Sequence, residues 1–179
     1  MVYVRTPYSI EKNLGKSYNE AMRLIPDGDT AVFIDHDAMF LTPDAISLIH
    51  QATIQNPDCV LTGWVNRVHK DAENYYPYLD GTTDLISCIQ AANILKHNTT
   101  LKQLNGSISG TLLVIPKHVW ELHPFSEVNI YRPDEPNILG VDNEWTNRIR
   151  KNGVRILRMN NILMYHAYRA MDGSKQHLL

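Results

Sequence analysis

Apolar positions along this chain fall into two patterns, short unbroken runs and stripes recurring every three to four residues, and the two alternate. Val2-Tyr3-Val4 reads as a first strand, closed by Arg5-Thr6-Pro7-Tyr8, where Pro7 ends regular pairing. From Asn13, the positions Leu14, Tyr18, Ala21, Met22 and Ile25 recur at helical spacing until Pro26-Asp27-Gly28-Asp29 turns the chain. Ala31 to Ile34 is a continuous apolar run of the kind a strand buried on both faces shows, so the opening is a βαβ unit. Thr42 as N-cap, Pro43 at the first helical position and Asp44 in the first turn predict a helix burying Ile46, Ile49 and Ile54, ended by Asn56-Pro57-Asp58. Cys59 to Val65 is the next strand.

Beyond it the pattern loosens. Asn66 to Asn105 is polar and rich in tyrosine (Tyr75, Tyr76, Tyr78), with a helix around Leu85 to Leu95. Loose segments of this size in a compact domain are as often functional loops as decorated surface hairpins. Ile108 to Ile115 reads as a strand, followed by Pro116 and a short helix carrying Val119 and Trp120. Three prolines between His123 and Leu139 predict an irregular loop. A helix then starts at Gly140 with Val141, Trp145 and Ile149 on one face and closes at Asn152-Gly153, and Val154 to Tyr165 returns as extended structure. The whole is an α/β pattern without internal repeats.

With 179 residues and 44% hydrophobic content, the chain fits one domain, 1–179, better than two. Its 17 Lys and Arg against 19 acidic residues give no basic field to gather nucleic acid. Cys59 and Cys88 have no C-x-x-C spacing and read as reduced core residues of a cytoplasmic protein. Neither a signal peptide nor a run of about 18 apolar residues is present, which predicts a protein with no transmembrane segment.

The chemistry concentrates at Asp35-His36-Asp37, at the C-terminal end of the Thr30 strand. In open α/β sheets ligands bind beyond the carboxyl ends of the strands, so a D-x-D there suits a hard cation and the phosphates it carries. A strand end followed by a solvated turn is the plainer alternative.

The segments N-L-G-K-S-Y-N-E-A, F-I-D-H-D-A-M-F-L-T-P-D, S-G-T-L-L-V-I-P, G-V-D-N-E-W and Y-H-A-Y-R, taken in that order, resemble glycosyltransferases of the A-type fold. The resemblance is to family 2 and to short bacterial and phage forms, and it covers nearly the whole chain. It implies a single-domain, Rossmann-like mixed sheet flanked by helices. It also implies a manganese or magnesium ion held by Asp37, His166 and Asp35, with Asp35 alternatively on the ribose or on a water. The donor implied is a nucleoside-diphosphate sugar of UDP or GDP type, and the acceptor a hydroxyl such as one on a glycan.

Within that resemblance Asn13, Gly15 and Asn19 match the segment lining the donor site, and Ser109 and Gly110 its floor. His36 lies inside the D-x-D, Arg169 could meet the diphosphate, and Trp64 is a candidate for stacking on a sugar, alongside Trp120 and Trp145. Most tryptophans are core, and Trp145 shares the apolar stripe of its helix. Asp142 matches the catalytic base, with Glu144 as rival; at about 100° per residue the two point nearly opposite ways. A helix N-terminus should keep Asp142 ionised.

One departure matters. The family usually inserts a further helix and strand before the N-x-G segment, whereas here only Ser9 to Lys12 separate Tyr8 from Asn13. Base recognition then falls on Arg5, Thr6 or Tyr8, falls on a partner subunit, which permits a homo-oligomer, or is weak. The leading expectation is an inverting, metal-dependent glycosyltransferase. The alternatives are a metal-dependent phosphoesterase or nucleotide-sugar hydrolase, and a non-catalytic nucleotide-sugar or glycan-binding module.

Overall fold

A computed structural model describes residues 1–11, 13–128 and 140–168. Seven strands form one mixed sheet: β1 (Val2–Arg5), β2 (Thr30–Ile34), β3 (Ala38–Phe40), β4 (Val60–Val65), β5 (Leu101–Gln103), β6 (Leu112–Pro116) and β7 (Ile156–His166). They lie in the order β1-β2-β6-β4-β7-β3, with β5 also on β7. The opening βαβ unit is present, since β1 and β2 pair in parallel around α1 (Leu14–Arg23). β6 is antiparallel to both β2 and β4, whereas β4 and β7 are parallel. The arrangement is α/β with an open sheet, compatible with a Rossmann-like fold.

Helices cover both faces, which is why the central strands carry no polar alternation. Ala31 and Phe33 of β2 and Leu113 and Ile115 of β6 pack with Tyr18 and Met22 of α1. Trp120 of α4 (Lys117–Leu122) and Trp145 and Ile149 of α5 (Val141–Lys151) complete that layer. Val32, Leu112 and Val114 point the other way, onto Ala45 and Ile49 of α2 (Ala45–Gln55). A smaller cluster joins Ala91 and Ala92 of α3 (Leu85–Leu95) to Leu163 of β7. Cys59 and Cys88 are buried free thiols, as expected. Among the described residues no helix is long and apolar enough to cross a membrane.

The long strand β7 explains most differences from the sequence reading. Its register against β4 shifts between Gly63 and Trp64, and Ile162 presses onto Gly63 so closely that a Cβ there would lie 2.8 Å from the Ile162 Cγ2. The irregularity splits the outer edge of β7: β5 pairs with its first half and β3 with its last residues. Thr42 is not a helix cap. Its hydroxyl donates to the Asn161 carbonyl at 3.0 Å and accepts from the Leu163 N–H at 2.9 Å, mending the interrupted ladder.

Consequently α2 begins later, after Asp44 in a left-handed conformation (φ 56°). Its buried face is Ala45, Ile49 and Thr53, whereas Ile54 is 67% exposed and Ile46 also reaches solvent, against the expectation. The strand expected over Ile108 to Ile115 starts only at Leu112; Ile108 is buried, yet Ser109 to Thr111 lie outside the strand. Part of the proline-rich loop, 129–139, lies outside the described residues.

Candidate metal and catalytic site

β2 ends at Ile34, and the next three residues turn sharply, with the Ala38 N–H donating to the Asp35 carbonyl at 3.2 Å. β3 then pairs with the end of β7 so that Ala38 stands opposite His166, and the Ala167 N–H donates to the Asp37 carbonyl at 2.9 Å. Backbone pairing thus brings together residues about 130 positions apart in sequence. His166 Nε2 lies 3.2 Å from Asp37 Oδ1 and 3.5 Å from Asp35 Oδ2.

One ligand atom from each of Asp35, Asp37 and His166 lies within 4.8 Å of the others. Bonds of roughly 2.1 Å to a small divalent cation set neighbouring octahedral ligand atoms about 3 Å apart, so the two measured separations fit a shared ion. Two carboxylate oxygens and an imidazole nitrogen form a donor set that can hold a divalent cation.

The imidazole is held from behind. Its Nδ1 lies 3.0 Å from the Thr111 hydroxyl, the ring is 5% exposed, and the backbone N–H of His166 donates to Asn66 Oδ1 at 2.7 Å. The tautomer with its proton on Nδ1 donates to Thr111 and turns the Nε2 lone pair toward the carboxylates, as a metal-binding histidine requires. The Tyr168 ring stacks on His166 at 5.2 Å, and Arg67 Nε fixes that turn by donating to the Tyr168 carbonyl at 2.6 Å.

Asp35 and His166 open onto a cavity of about 460 Å³ shared with Ser109, Gly110 and Asp142. That size falls within the range of small-molecule sites. Val68, His69, Asp71 and Ala72, from the segment after β4, supply another part of its wall. Gly110 donates its N–H to Asp142 Oδ2 at 2.7 Å, and a Cβ at Gly110 would fall 2.8 Å from the Asp142 Cβ, so only glycine lets the two meet.

Burial pushes the Asp142 carboxyl above the usual aspartate range, against the lowering by the Gly110 and Asn143 N–H groups, and repulsion from Asp35 adds to the rise. Burial therefore outweighs the N–H groups that face this carboxyl from the helix terminus and from Gly110. Asp35 is also raised, first by burial, then with His166 pulling down and Asp37 pushing up.

Several residues expected at the site are used elsewhere. Glu144 pairs with Arg148 Nε at 2.8 Å and lies outside the cavity lining. Gly15 does allow a close approach, but by protein: a Cβ there would sit 1.8 Å from the Ser126 carbonyl oxygen. Asn13 caps α1 through the Lys16 N–H and donates to the Glu127 carbonyl.

Asn19, 2% exposed, spends its whole amide on the fold. Its Nδ2 donates to the Phe125 carbonyl and to Glu127 Oε1, and its Oδ1 accepts from Trp120 Nε1 and the Phe125 N–H. Trp64 is covered by the Arg158 guanidinium, 3.2 Å above its ring, and is not a free sugar platform. Trp145 is core.

Arg5, Thr6, Tyr8 and the exposed His36 are not part of the cavity lining, although His36 still lowers Asp35 electrostatically. Arg169 lies outside the described residues. Three residues escaped the sequence reading: Thr111 and Asn66, which look like ordinary strand-end polar residues, and Tyr18, which shares the apolar stripe of α1 and reads as core.

No protein-family model matches the chain, and no curated protein matches it.

Proposed function

We propose that this protein is a metal-dependent glycosyltransferase of the A-type fold, with an abbreviated nucleotide half-site, acting in the cytoplasm. The observation that carries the reading is the cluster of Asp35, Asp37 and His166, where the chain leaving β2 meets the end of β7, with Asp35 and His166 lining a cavity that also holds the buried carboxyl of Asp142. Asp37, His166 and Asp35 would hold the cation against the diphosphate of a UDP- or GDP-type sugar donor. When bound, a divalent ion supplies electrostatic stabilisation of the negative charge that gathers on a departing diphosphate.

The chain's own groups do the rest. Asp142, oriented by the Gly110 N–H, takes the proton of an acceptor hydroxyl such as one on a glycan. Its raised proton affinity favours that role, because a base works best when its pKa approaches the working pH. A base on the acceptor side supports an inverting transfer, in which an α-linked donor gives a β-linked product. Thr111 and Asn66 keep the imidazole in place.

The position of Arg5, Thr6 and Tyr8 outside the cavity lining favours a second reading, a nucleotide-sugar hydrolase or phosphoesterase that uses water as acceptor. Incubation with manganese and a panel of UDP- and GDP-sugars, followed by proton NMR of the anomeric signals, separates the two. Glycoside formed only when an acceptor sugar is added supports transfer. Free sugar released at the same rate without acceptor replaces transfer with hydrolysis, and no turnover of any donor removes both.

A further inference from the structure

We infer that Tyr18 is a substrate-positioning residue, whose hydroxyl donates a hydrogen bond to an oxygen of the ligand lying between the Asp35 cluster and Asp142. The inference deepens the proposed function and rests on that reading of the cavity. Tyr18 is 4% exposed, and the little surface it keeps belongs to the cavity lining. Its ring cannot swing away. Phe125 stacks on it at 4.6 Å and Phe33 meets it edge-on at 4.9 Å, so the ring is clamped between the sheet and the segment after α4.

A buried phenol normally finds a hydrogen-bond partner. Among the described residues this one has no hydrogen-bond partner, although every polar atom of its helix neighbour Asn19 is used. Burial first, and then the Asp35 and Asp142 carboxylates acting electrostatically, hold the phenol protonated, which leaves it a donor rather than an anion. A fixed O–H under the influence of both carboxylates, opening onto the cavity they share, suits a sugar or phosphate oxygen, which accepts but carries no hydrophobic demand of its own.

The purely structural account of Tyr18 is that its ring fills the core and its hydroxyl is incidental. Tyr18→Phe separates the two, because phenylalanine keeps the ring between Phe33 and Phe125 and deletes only the oxygen. The ligand-free variant should melt within a degree or two of the parent and bind manganese alone with parental affinity by isothermal titration. With manganese present, its affinity for whichever UDP- or GDP-sugar the parent binds should fall roughly 3- to 30-fold, the loss of one hydrogen bond to a ligand.

Parental affinity for the nucleotide-sugar in Tyr18→Phe, with Asp37→Ala losing it, would overturn the role of Tyr18 and leave the metal reading standing. Loss of manganese binding in Tyr18→Phe, or a large drop in its ligand-free melting temperature, would also overturn it by returning the hydroxyl to the metal shell or the fold. A parent that binds no member of the panel would overturn the metal-dependent reading and this inference with it.

Discussion

Asp142 shows how one residue's burden on the fold and its chemistry are linked. Its carboxyl is raised by burial, which means that the ionised form is less comfortable in the folded protein than in the unfolded chain. A raised folded-state pKa contributes stability that is fully present below the unfolded value, near 3.9, and is lost as pH climbs through the folded one. Asp142→Asn keeps an oxygen to accept from Gly110 but carries no charge. Without metal the variant should therefore melt above the parent at pH 7, with the gap narrowing as pH falls through the raised folded value and gone below about 4. Its turnover should drop by roughly 10²- to 10⁴-fold, as for a lost general base. An unchanged rate alongside a higher melting temperature would make Asp142 a buried acid without a catalytic part.

Asn19 is the opposite case. It anchors Trp120 and Phe125, and Asn19→Ala strands their N–H groups without an acceptor. The expected cost is about 3 kcal/mol in urea unfolding, with no direct effect on manganese affinity. The side-chain types at the Asp35, Asp37 and His166 cluster were legible from sequence, the D-x-D because it ends an apolar strand and the histidine through the family resemblance. The partners of Asn19, Trp64 and Gly15 were not, since each meets residues far away in the chain that no local pattern announces.

At the scale of elements, the central strands and α1, α3, α4 and α5 follow directly from apolar runs and 3.6-residue stripes, and the structure has them near the predicted bounds, except that β6 starts at Leu112 rather than Ile108. What local pattern missed clusters around β7. Neither three-residue strand, β3 or β5, has a signature of its own; both exist because β7 offers an edge, and the irregularity near Asn160 divides that edge between them. Thr42 followed by Pro43 is a good cap in isolation, yet a broken ladder in need of a donor and an acceptor claimed its hydroxyl.

The packing of α1 is set just as firmly from outside. Gly15 faces the Ser126 carbonyl so closely that any side chain must push the helix or the segment after α4 aside. Gly15→Ala should cost about 3 kcal/mol, the upper end of overpacking penalties. By moving Leu14 and Tyr18 from the cavity wall it should also weaken the donor binding proposed for that cavity. A denaturation midpoint equal to that of the parent would show that the helix yields without strain.

For the whole molecule, the sheet brings two carboxylates and an imidazole to one point from segments that meet only when β3, β7 and β2 are all in register. Without a cation, Asp35 and Asp37 repel each other and Asp35 is desolvated, so the folded state bears a cost at its own site. A ligand that binds only the folded state repays such a cost by mass action. Manganese at a hundred times its dissociation constant should add about 2.7 kcal/mol, which for a chain of this size is roughly 5–10 °C in melting temperature. Chelation should reverse the rise, and Asp37→Ala should abolish it.

The effect should also depend on pH in a definite direction. Because burial holds the Asp35 carboxyl above the ordinary aspartate range, protons compete with the cation there more strongly than at an ordinary aspartate, and the manganese-induced rise should shrink as the solution is acidified from neutral pH toward pH 4. Differential scanning calorimetry with and without manganese across that range checks both points. A rise that persists undiminished at pH 4, or survives in Asp37→Ala, would mean that the ion stabilises the protein from some other surface, and the junction of β2, β3 and β7 would lose its claim to be the metal centre.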